Sequence, residues 1–157
     1  MNSVRERIMQ EVQRRLAAHE FATVAWDHVG RDELPSDYDG SRGSMLALLE
    51  ATEDLDVTAA ARRPKFTIFA TFAIPLADGE TAQTAANNAA AELAQALHGK
   101  HTMTEGGEGT GGEQLAFNFQ ALRIEPNFTE DMDNCAAGTV EYLVQYQTQP
   151  GNLFAVG

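Results

Sequence analysis

The chain has 157 residues and a formal net charge of −12, from 23 acidic and 11 basic side chains. That length suits one domain with a core that needs no covalent staples, and that charge excludes a protein that grips nucleic acid, which needs Lys and Arg to displace counterions. One cysteine, Cys135, and a 43% hydrophobic share exclude a disulfide scaffold and fit a reducing compartment.

The opening MNSVRERIMQEVQRR is charged and amphipathic, with none of the apolar core of a secretory signal. No apolar run approaches the ~20 residues of a membrane span. Charge is uneven along the chain: beyond Lys65 only Lys100 and Arg123 are cationic.

Ser3 and Glu6 form a capping box at the start of a helix expected over 4–19. Val4, Ile8, Val12 and Leu16 recur every fourth residue on its apolar face, and Arg5, Arg7, Arg14 and Arg15 lie elsewhere on it. FATVAW, residues 21–26, reads as a short strand. Residues 27–44 read as a long loop rich in Asp, Gly and Ser, and 44–50 as a strand. Residues 51–61 are mixed, with a helical turn possible on composition.

KFTIFATFAIP, residues 65–75, alternates strictly. Phe66, Ile68, Ala70, Phe72 and Ile74 share one face, as expected of a central strand. Asp78 and Gly79 end it with a turn. A helix is expected over 81–98, capped by Asp78 or Thr81 and stopped at Gly99, with a buried stripe made almost wholly of alanine. Residues 99–114 read as a flexible glycine loop.

Strands follow over 115–125, with a bulge near Ala121, and over 139–149. An acidic loop, 126–138, separates them, and 150–157 is a tail. The order predicts an α+β fold: a mainly antiparallel sheet of about four to five strands with helices packed on one face. We expect one domain over 1–157, with flexible loops at 27–44 and 99–114. The uncovered sheet face and its edges invite oligomerisation.

Each candidate for chemistry meets a physical objection. Residues 107–112 match G-x-G-x-x-G by letter, but the helix comes before it and the strand after, and Glu105, Glu108 and Glu113 repel phosphate. Asp37, Asp39 and Gly40 resemble part of a calcium loop without its distal Glu. Glu130, Asp131 and Asp133 are a possible cation cluster. His98 and His101 are separated by the helix-breaking Gly99, and Cys135 has no evident orienting base. Asp27, His28, Asp32 and Glu33 are acid–base candidates for a small cytosolic enzyme.

The opening helix VRERIMQEVQRRL, the pair KFTIFATFAI and TAQTAANNAAAELAQAL, and the closing TVEYLVQYQTQP together resemble the tail terminator proteins of long-tailed bacteriophages, the minor tail protein U group. That resemblance implies a structural protein with no catalytic residue, cofactor or metal. It implies a homo-hexameric ring at the tail–neck junction of the virion, assembled in the host cytoplasm. The ring stops growth of the tail tube, contacts the tube protein and the head–tail connector, and passes DNA through its lumen without specific binding or any membrane. Another neck or completion protein is the alternative within that class. Closed rings use a different patch on each side of a subunit. Arg7, Arg14 and Arg15 are the expected patch on one side, with Glu130, Asp131 and Asp133 as the acidic partner.

Overall fold

The computed structural model describes residues 1–51, 64–97, 102–107, 109–127, 134–149 and 151–157. In chain order the elements are α1 (Val4–Ala18), β1 (His28–Gly30), β2 (Met45–Glu50), β3 (Lys65–Pro75), α2 (Ala82–Leu97), β4 (Met103–Thr104), β5 (Gln114–Ala116), β6 (Asn118–Asn127), β7 (Cys135–Gln145), β8 (Thr148–Gln149) and β9 (Asn152–Val156). The main sheet runs β1-β2-β3-β7-β6. Every neighbouring pair in it is antiparallel except β1 with β2. The α+β architecture expected from the element order is present.

β3 is central because both of its edges are paired and one face lies wholly in the core. It pairs with β7 from Lys65↔Gln145 through Pro75↔Cys135 and with β2 from Ile68↔Glu50 through Ala73↔Met45. Phe66, Ile68, Ala70 and Phe72 are buried with Leu46, Leu48, Val140, Tyr142 and Val144 on the face that the helices cover. Val4, Ile8, Met9, Val12 and Leu16 of α1 seal one side of this core, and Ala85, Ala86, Ala89, Ala90 and Leu93 of α2 the other. Methyl side chains bring α2 close enough that the Tyr142 hydroxyl, buried between β7 and α2, donates to the Leu93 carbonyl. Burial pushes the Tyr142 phenol well above its ordinary range.

Three readings of the sequence are corrected. Residues 21–26 are irregular, because the Glu92 carboxylate takes the Ala22 N–H and the N–H and hydroxyl of Thr23, and Trp26 packs edge-on to Phe72, ring centroids 6.0 Å apart. The strand in this region is β1, inside the 27–44 loop. Residues 115–125 divide into β5 and β6 about Phe117, with the register shift between Ala121 and Arg123 where the bulge was expected. The last segment is not a bare tail: β9 turns back at Gly151, φ +74°, and pairs with β8. The helical turn within 51–61 and the Gly99 cap lie outside the described residues.

The loop between β1 and β2 folds over the far end of the second sheet face. There a Cβ on Gly40 would sit 3.2 Å from the Cys135 thiol. Gly138 is set by packing as well. A Cβ on it would lie 2.6 Å from the Phe72 ring, so one methyl forces either the ring or β7 to shift. Gly138→Ala is expected to cost about 1–3 kcal/mol by overpacking, read as a lower urea midpoint at unchanged m-value; an unshifted midpoint would refute this account of Gly138.

Candidate functional site on the first helix

Arg7, Glu11 and Arg15 are spaced i, i+4 and so form one line along α1, with Arg14 beside them. The line faces β4, β5 and the glycine segment joining them. Arg7 Nη2 lies 2.5 Å from Glu105 and 2.6 Å from Glu113, and Arg7 Nε donates to Glu105 at 3.1 Å. One guanidinium therefore ties both arms of the β4–β5 hairpin. Arg15 donates to the Thr104 carbonyl at 2.8 Å, and the Gly106 N–H donates to Glu11 at 3.2 Å. The hairpin base is held by buried Met103, Leu115 and Ala116, whereas its tip is held by charge.

Glu11 is the pivot. Its residue is 5% exposed, yet it accepts from Arg14 at 2.6 Å and Arg15 at 2.8 Å. Burial pushes this carboxyl up, but the hydrogen bonds from Arg14, Arg15 and Gly106 outweigh burial and bring it down to about 2. Hydrogen bonds donated to Glu105, then to Glu113, hold the Arg7 guanidinium above its ordinary value. Glu105 is lowered in turn by Arg7. A second group of charges clamps the opposite side of α1. Arg5 bonds Glu50 at 2.7 Å and stacks 4.8 Å over Phe66, and Arg31 bridges Glu6 and Glu50.

The arginines expected to face a neighbouring subunit are therefore bound within the chain. Arg7 and Arg15 keep 18% and 17% of their side-chain surface, against 51% for Arg14. Their expected partners Glu130, Asp131 and Asp133 lie outside the described residues, as do His98 and His101. The glutamates that Arg7 does use, Glu105 and Glu113, figure in the sequence only as charges hostile to phosphate. Nothing in the linear pattern pairs them with a helix some hundred residues earlier. The Arg7–Glu11–Arg15 spacing was the signal that could have been read.

The acid–base candidates Asp27, His28, Asp32 and Glu33 do line one open cleft, together with Met45 and Pro35. Asp27 is engaged there by the Ser44 N–H at 2.8 Å, which orders the loop. Asp39 is taken up by the N–H and hydroxyl of Ser41, so it caps a turn. Cys135 is buried, and burial first, then Asp39, raises its thiol. No group of three or more His, Cys, Asp or Glu among the described residues is placed to hold a metal ion.

No family model matches the sequence, and no curated protein does. The fold does have a solved counterpart. A chain of the virion of a native gene transfer agent particle superposes with a TM-score of 0.52 at 17% identity, over 94% of this chain and 99% of that one. At that identity the likeness is one of fold.

The lowered Glu11 carboxyl makes part of the stability pH-dependent. Its charged form is favoured in the folded state, so its contribution is whole above the ordinary carboxyl value of 4.5 and is lost as pH falls toward about 2. Urea unfolding across that window should show a shallower loss in Glu11→Gln than in the parent, and a difference of about 2 kcal/mol at neutral pH; parallel curves would refute the assignment. Arg7→Leu should speed limited proteolysis in the glycine segment without moving the global unfolding midpoint by a comparable amount.

Proposed function

We propose that this protein is a structural component of a phage-like virion and acts by assembly, with no bond-making chemistry of its own. The observation that supports this reading is the fold shared end to end with a chain of the gene transfer agent virion. The resemblance of the helix, central strand and alanine helix to tail terminators supports the finer form. In it the chain acts as one domain over 1–157 and closes as a homo-hexameric ring on the tail tube. The ring ends tube growth and offers its other side to the head–tail connector. The composition is consistent with this: at −12 per subunit, a lumen lined by this chain would not trap a passing phosphate backbone.

In such a ring each subunit meets its two neighbours through different surfaces. Arg14 is the member of the arginine trio with most surface left for a neighbour, with the acidic segment containing Glu130, Asp131 and Asp133 as its partner across the contact. The internal clasp of Arg7 and Arg15 then serves to present Arg14, not to make the contact itself.

Particles from a phage lacking this gene should carry overlong tails without heads when imaged by negative stain. Tails of normal length joined to heads would overturn the terminator reading. Purified protein should give rings under the same stain, and Arg14→Glu should reduce them; undiminished rings would remove Arg14 from the contact.

A further inference from the structure

We propose that the free edge of β6 pairs with β6 of a second copy of this chain, antiparallel and centred on Ile124. β6 ends the main sheet, and among the described residues it pairs only with β7. Along Asn118–Asn127 no other described strand takes its outer N–H and C=O groups, the ones a further strand would use. The opposite edge is different: β1 has three residues, and the Val29 carbonyl already accepts from Gln13 at 3.2 Å.

The edge also carries apolar surface. Leu122 is 51% and Ile124 42% exposed, two of the few large hydrophobic side chains left in water among the described residues. An apolar, unpaired strand of this length is an association site unless something blunts it. Two features bound the regular part of this edge: the register shift between Ala121 and Arg123 on one side of Ile124, and Pro126, which has no N–H to give a ladder, on the other.

The charges select the occupant. Arg123 and Glu125 flank Ile124, share a face and bond each other at 3.1 Å, with Glu141 of β7 3.8 Å from Arg123. When two copies of this strand run antiparallel with Ile124 opposite Ile124, Arg123 of each faces Glu125 of the other. The pattern is its own complement, twice over, and a row Glu141–Arg123–Glu125 crosses the junction. A strand of unrelated sequence would leave those charges unmatched. The pair is two-fold and closes after two copies, so it is independent of the ring proposed above.

Two measurements test it. Ile124→Cys should cross-link into a dimer under mild oxidation, because residues directly opposite in an antiparallel pair lie within disulfide reach. Gln95→Cys, exposed on α2, should not. By light scattering across a dilution series, Arg123→Glu should weaken dimerisation about tenfold or more, and Arg123→Glu with Glu125→Arg should restore it. An Ile124→Cys chain that stays monomeric on the gel, or a double swap no tighter than the single, would overturn the proposal. Rings without the cross-link would refute this edge and leave the ring; the cross-link without rings would do the reverse.

Discussion

The pairing of β3 with β7 along all of Lys65–Pro75 is the constraint under which the other elements take their places. It aligns Phe72 with Gly138, and only a residue without a Cβ leaves room there for the phenyl ring. The same ring receives Trp26 edge-on, Trp26 receives Phe21, and Phe21 receives His19. A train of rings thus leads from the end of α1 to the middle of the sheet. It explains why FATVAW is not a strand: its aromatic side chains are drawn toward one point, which an extended backbone with alternating sides would not allow.

Much of the architecture was legible because it is written in period. β3 alternates over its whole length, the alanine stripe of α2 repeats at helical spacing, and Ser3 caps α1 through the Glu6 N–H. β1, β4 and β9 were not legible, nor was the break that sets β8 apart from β7 within the strand expected over 139–149. β1, β4 and β9 are two to five residues long, too short for a period to show, and each is defined by the strand it pairs with, β2, β5 and β8. Tertiary context also moved the last long strand: β7 begins at Cys135, four residues earlier than its alternation of Val140, Tyr142 and Val144 with polar residues announces, because Cys135, Ala136 and Ala137 are small and buried on both faces.

The candidate site was half legible for a related reason. A basic face on α1 is visible in the sequence as Arg7, Arg14 and Arg15, but its occupants are not. Glu11 lies within the same helix at the right spacing, whereas Glu105 and Glu113 reach Arg7 only because β4 and β5 form a hairpin whose buried base, Met103 and Leu115, docks beside α1. Charged pairing between distant segments has no periodicity to betray it; it is fixed after apolar packing has brought the segments together. With 23 acidic residues against 11 basic ones, the arginines are the scarce partner, and an acidic side chain is available wherever the backbone passes.

The alanine face of α2 has a further meaning for how this protein can change. A helix separated from its sheet by methyl groups, with Tyr142 reaching the backbone carbonyl of Leu93, has no slack in which a larger side chain could hide. Drift at Ala85, Ala86, Ala89 and Ala90 is therefore confined to residues of similar volume. A larger residue there becomes tolerable only with a simultaneous reduction opposite it on β6 or β7. The outward side of the same helix, where Asn87 and Ala91 are exposed, leaves room for larger side chains, so one helix holds a face closed to added volume and a face open to it.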